Sequence, residues 1–258
     1  MPEDFSAPKD KARAATVWPS IAGHFESWFT CCGNPPIPSC EVPMPYRRTE
    51  NVARRLAARH AAIIAAARQA ASEGGMAAVQ IAPVAQRAGI AAGTVYRYFP
   101  GKTALVAALL GEISEHEIGA LRRAAEVAPG PLSALSAAIM TFAARALRHR
   151  RLAYAAIAEP VEAELEAARL AARKALAAEF ANLIAVAVRG GHLPDQDATL
   201  SAAALVGLLI EGLIGPLAPD AAGRERAMVQ SLTLVALRAL GVADARARGL
   251  VVSGIRDQ

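Results

Sequence analysis

The sequence is poor in aromatic residues: Phe, Trp and Tyr make up 5% of its 258 positions. Strands favour aromatic and β-branched side chains, whereas the 54% apolar content here comes mostly from alanine, the strongest helix former. This excludes an all-β fold, and so much apolar content excludes disorder over most of the length. Cysteine is scarce too. Cys31, Cys32 and Cys40 are odd in number, crowded into one stretch and spaced unlike any zinc site, so neither a disulfide framework nor a metal centre is expected. The five histidines show no HExxH or HxxxH pairing, and neither a catalytic constellation nor a cofactor motif is found. Long apolar runs are missing as well. The stretch nearest to a membrane span, residues 198–218, is interrupted by Glu211, Gly212, Gly215 and Pro216, so it reads as a buried helix with no membrane partner. The first residues are too polar and broken for a secretory signal, and a cytoplasmic location is expected.

What is present is an uneven distribution of charge. The net charge is +5, yet residues 44–111 alone carry +7, residues 1–43 carry −2 and residues 112–258 are neutral. A basic excess confined to 68 residues points to a polyanionic partner for that segment, or else to a solvated basic helix face. Residues 1–45, rich in Pro, Gly, Ser and Cys, are expected to be a disordered extension, and Met44 stands as an alternative translation start. From Asn51 the pattern is helical. Val52, Leu56, Ile63, Ile64, Ala67 and Ala71 share one face, and Gly74-Gly75 stops the run. Beyond Pro129-Gly130-Pro131, helical stretches are expected near 132–158, 161–188, 197–214 and 222–240, with no strand pair. The fold class is all-α: a basic three-helix head over 46–117 and a larger neutral body over 118–258.

Residues 80–99, QIAPVAQRAGIAAGTVYRYF, carry the most specific pattern. Two short helices joined at Gly89 are what a helix-turn-helix requires, one bracing against the backbone while the other enters a major groove about 12 Å wide. Ile81, Val84, Ala85 and Ala88 would pack the first helix, Gly89 would supply a positive φ, and Ile90 would plug the space between. Val95 and Phe99 would bury the inner face of the second helix, leaving Thr94, Tyr96, Arg97 and Tyr98 for the rim and DNA. Arg97 is read as a phosphate contact or a base reader, Tyr96 as a DNA contact or a buried core tyrosine, Gln80 as a contact or a simple helix cap. Gly101-Lys102-Thr103 is not the end of a P-loop, because the earlier glycine that motif needs falls at Tyr96. Glu162, Glu164 and Glu166 read as a solvated helix face beside Arg169 and Arg173.

The run Ile81, Val84-Ala85, Ala88-Gly89-Ile90, Gly93-Thr94-Val95-Tyr96, Tyr98-Phe99, Lys102 and Leu105 resembles the DNA-binding signature of the TetR family of bacterial transcriptional regulators. With the helix before it, the resemblance covers residues about 57–117. It implies that Thr94, Tyr98 and Lys102 grip phosphates, that Tyr96 spans core and DNA backbone, that Ala91, Ala92 and Gly93 approach base edges, and that Gln80 with Ala82 forms the entry of the bracing helix. Ala82 and Ala92 depart from the longer polar side chains common there, and Ala91 from the usual Ser-type cap, which shifts discrimination toward Arg97, Gln80, thymine methyl contacts or DNA shape.

For the body the resemblance implies homodimerisation through the last two long helices and a pocket for a small-molecule effector. Ala203, Ala204, Gly207 and Gly215 would permit close helix approach, and Met228, Val229, Leu232, Val235, Ala236 and Leu240 offer an apolar stripe for a partner or for an intramolecular core. Met140, Phe142 and Tyr154, with Ile139 and Ile157, are candidate pocket walls, and Arg145, His149, Glu159 and Glu211 candidate polar anchors; core or surface is the alternative for each. The function expected is a sequence-specific regulator, a repressor released from a palindromic double-stranded DNA operator by its effector. The alternatives are a helical small-molecule-binding protein or enzyme with a vestigial head, and a non-specific architectural DNA binder.

Overall fold

The computed structural model describes residues 50–254; the expected extension 1–45, its cysteines and the Met44 start lie outside the described residues. Ten α-helices and no strand occur among the described residues. The first four are α1 (Glu50–Gly74), α2 (Ile81–Arg87), α3 (Ala92–Tyr96) and α4 (Lys102–Glu126), with one 3-10 turn at Met76–Ala78. Then follow α5 (Pro131–Arg148), α6 (Arg150–Ile157), α7 (Ala163–Arg189), α8 (Ala198–Leu213), α9 (Glu225–Ala239) and α10 (Asp244–Ser253).

Two apolar cores organise these helices, and α4 runs through both. The head core joins Ile63, Ala67 and Ala71 of α1, Val84 and Ala85 of α2, Val95 of α3, and Leu105, Val106 and Leu109 of α4. The body core takes Leu121 from the far end of α4 and adds Leu135, Ile139, Phe180, Ile184, Leu209, Leu213 and Leu237 from the later helices. The head core also receives Leu152 and Ala155 from α6 and Leu165 from α7, so body helices seat directly under the head. A changeover along one continuous helix makes α4 the rigid link between the two cores.

Two elements differ from the sequence expectation. The stretch near 132–158 is two helices, not one, broken at His149 (φ −120, ψ 43). Arg145 O accepts from His149 N at 3.0 Å while His149 O accepts from Ala153 N at 2.9 Å, so one residue ends α5 and starts α6. No Gly or Pro marks the break, which is why an alanine-rich pattern reads straight through it. The second difference is α10, which follows a left-handed turn at Gly241 (φ 91) and buries Ala247 and Val251 four residues apart.

Candidate nucleic-acid interface and body cavities

In the head, α2 and α3 are held at their turn by Ala85 O, which accepts from Ile90 N at 3.0 Å, and by Gly89 at φ 67. Ile90 is half-buried against the head core. Val95 is fully buried and Phe99 nearly so, which fixes which side of α3 faces outward. Gly93, Tyr96 and Arg97 are exposed, and Ala92, Thr94 and Tyr98 half-buried. Tyr96 is 54% exposed, which overturns the buried-core alternative for it. Gln80 occupies the N-cap position of α2, but its side chain does not cap; Nε2 donates to Ala77 O at 3.0 Å.

The ring of His60 on α1 lies 6.3 Å from that of Tyr98 and 5.1 Å from that of Phe99, so the middle of α1 supports the end of the recognition helix. Its partners lie some forty residues on, and no local sequence pattern links them to His60.

The charge of the head is also sorted. Arg87 pairs with Glu73 at 2.5 Å and Arg68 with Glu112 at 3.2 Å, both within the head. Arg54, Arg55 and Arg59 are exposed along the first turns of α1, where no side chain is fully buried, and none has a carboxylate partner among the described residues. Arg97 is exposed too, so these four carry part of the +7 segment's charge into solvent, and the candidate contacts drawn from residues 80–102 omitted the three from α1. Lys102 opens α4, and its Nζ lies 3.5 Å from Glu162 at the start of α7.

The nine body candidates are not brought together in one site. Of them, Phe142 and Ile157 line a narrow cavity of about 50 Å³ between α4, α5, α6, α7 and α8, walled also by Leu110, Ile113, Ala172 and Leu176. Met140 is buried beside Ser136 and Gly254. Arg145 donates to both Glu117 oxygens, at 2.6 and 2.8 Å. Burial pushes the Glu117 carboxyl up, but the Arg145 hydrogen bonds and charge, with His116 adding to them, outweigh it and hold the group below its ordinary value. His149 is exposed at the α5–α6 break, and Glu211 is exposed on α8. Tyr154 and Glu159 border an open cleft with Gly74, Gly75, Arg150 and Arg151. There the Glu159 carboxylate accepts from Met76 N at 2.9 Å, tying the end of α6 to the turn that precedes α2.

Arg169, placed by the sequence beside a solvated carboxylate face, is itself buried at 6% exposure and lines the same narrow cavity as Phe142. Its neighbours Glu162, Glu164 and Glu166 are exposed, as expected. The signal was available: Arg169 lies four residues after Leu165 and seven before Leu176, on the buried stripe of α7.

The chain is thus all-helical, with a helix-turn-helix in its head, α3 exposed on one side and arginines exposed along the start of α1. Residues 63–109 match the family model described as bacterial regulatory proteins, tetR family. Over 66 residues the chain is 44% identical to the HTH-type transcriptional repressor KstR of Mycolicibacterium smegmatis, a match covering 26% of this chain and 32% of that protein. The chain thus spans about a third of the length of the curated relative it matches. Among solved structures, FadR, the fatty acid degradation regulator from Bacillus halodurans, is similar with a TM-score of 0.61 at 21% identity, covering 72% of this chain and 97% of that one. RolR in complex with resorcinol is similar with a TM-score of 0.58 at 23% identity, covering 77% and 95%. FadR from Bacillus subtilis in complex with stearoyl-CoA follows with a TM-score of 0.59 at 19% identity, covering 71% and 99%. Likenesses at these identities show the fold, and the resemblance to tetR-family regulatory proteins is carried by residues 63–109 of the head.

Proposed function

We propose that this protein is a cytoplasmic homodimeric transcriptional regulator, most simply a repressor, that binds a palindromic operator through its two heads and is released by a small-molecule effector held in the body. The observation that carries the reading is the sidedness of α3: Val95 and Phe99 are buried while Tyr96 and Arg97 are exposed. That leaves a face of hydroxyl, guanidinium and small side chains for groove and phosphates, the mixture by which such helices position and specify. The solved relatives with resorcinol and with stearoyl-CoA support the effector half of the reading. Coupling has a physical route in α4, which belongs to both cores, and in Glu159, which joins α6 to Met76. A ligand that separates α4 from its body neighbours changes the set of the heads and so operator affinity.

The test is a fluorescence-anisotropy titration of the full chain against the duplex flanking its own gene, with a shuffled duplex as control, at low and physiological salt. A preference of about 10³ or more at physiological salt is expected. Tyr98→Phe is expected to weaken the specific complex, and Lys102→Ala to weaken binding to both duplexes and lower the salt slope by about 1. Equal binding to both duplexes, erased by salt, would favour the architectural alternative.

A further inference from the structure

Arg169 is the only charged residue among the described residues that is buried. Its Nη1 donates to Glu166 at 3.1 Å, and its Nη2 donates to the main-chain oxygens of Ala155, at 3.4 Å, and Glu159. Its Nε–H has no acceptor, and among the described residues it is the only buried side-chain nitrogen or oxygen left without one. A buried donor without a partner costs about 1–3 kcal/mol, more when charged, so proteins seldom keep one without a use. The same side chain lines the cavity whose other walls are Leu110, Ile113, Phe142, Ala172, Leu176 and Ile210. Arg173 stands at its exposed edge, and the one carboxylate lining it, Glu117, is already held by Arg145. The cavity therefore combines hydrocarbon walls with a fixed guanidinium N–H and a surplus of positive charge.

We infer that this cavity binds a carboxylic acid with an apolar tail, its carboxylate accepting from Arg169 Nε and its tail lying along the α4 and α7 walls. The inference rests on the reading that the body takes an effector, and it assigns that effector a site and a chemical class. A carboxylate supplies the acceptor that Nε lacks and balances charge where Glu166, itself exposed, balances Arg169 only across a solvated pair. The existing space of about 50 Å³ holds only a few atoms, so seating a tail moves α4 away from α7. Arg169 also holds the Glu159 carbonyl, and the Glu159 carboxylate holds Met76, so the anchor touches the residue that ties body to head.

The experiment uses the full chain with octanoate and benzoate as flexible and flat acids, and octylamine as the cationic counterpart of the first. Calorimetry and thermal melting are expected to show saturable one-site binding of at least one acid and none of octylamine, and the acid that binds tells an alkyl tail from a ring. Arg169→Gln is expected to weaken that acid by about tenfold or more, the worth of a hydrogen bond to a charged group. Because that change also touches the hold on Glu159, Ala172→Phe provides a second arm: it fills the cavity from its apolar wall, leaves Arg169 intact, and is expected to abolish acid binding while melting stays cooperative. Binding of neither acid, equal stabilisation by octylamine, or undiminished acid binding to the Ala172→Phe protein overturns the assignment. Operator affinity, measured separately with and without the acid, distinguishes the two layers. A protein that binds operator but no acid loses only the cavity assignment, whereas one that binds acid but no operator keeps the cavity and loses the regulator.

Discussion

Gly75 holds φ 75 directly after α1, and the place where a side chain would stand is occupied by the Glu159 carboxylate: a Cβ there would lie 2.6 Å from Oε2. An alanine must both adopt left-handed backbone and displace the acceptor of the Met76 N–H. Gly75→Ala is therefore expected to destabilise the protein by about 1–3 kcal/mol in urea unfolding, against a few tenths for an exposed glycine-to-alanine change at ordinary φ. The glycine was legible in the sequence as a helix stop, whereas Glu159 was expected only as a candidate polar anchor of an effector pocket. Their meeting was not legible, because it spans 83 residues along the chain and nothing local encodes it. Arg169 is the opposite case. Its place on the apolar stripe of α7 was readable, but the neighbouring glutamates made the segment look like a solvated face.

At the scale of elements, α4 and α5 are stapled by Glu117 and Arg145 across the head-to-body changeover. The Glu117 carboxyl is held below its ordinary 4.5 in the folded protein, so its contribution is fully present above that value and is lost as pH falls through the folded one. Glu117→Gln is expected to lower stability at neutral pH and to flatten the pH dependence below about 4.5, with little change in its slope above, as read from chemical unfolding series at fixed pH. An identical acid limb in wild type and variant would show that the pair contributes no such linkage. The helices themselves were mostly legible, since each is bounded by glycine or proline. The exceptions are the α5–α6 break, which His149 makes by backbone conformation alone, and α10, whose mixed sequence has too short an apolar stripe to announce itself.

For the whole molecule, what the monomer leaves uncovered bears on how it assembles. Leu200 (68% exposed), Ala203, Ala204 and Gly207 fall on one outward face of α8, and Val235 is exposed on α9. The stripe expected on α9 is divided: Val229, Ala236 and Leu240 are buried within the chain while Val235 stays outside. The close approach of α8 to α9 uses a different glycine, Gly212, where a Cβ would meet Leu232 Cδ1 at 2.7 Å; a Cβ on Gly207 would meet nothing. Gly212 lets α8 pack inside the chain; on the proposed homodimer, the outward face of Ala203, Ala204 and Gly207 would meet a second copy by the same close approach. Charge segregation bears on the same proposal: the net charge lies in the head, and a neutral body would present none to oppose pairing. Sedimentation at micromolar concentration is expected to give about twice the 26.8 kDa chain mass. Ala204→Glu, which sets like charges against each other near a two-fold axis, is expected to give monomers that keep native helicity and bind a full palindrome no better than a half-site. A wild-type chain that sediments as a monomer at these concentrations, or an Ala204→Glu protein that still dimerises, would place the two-fold interface elsewhere on the body.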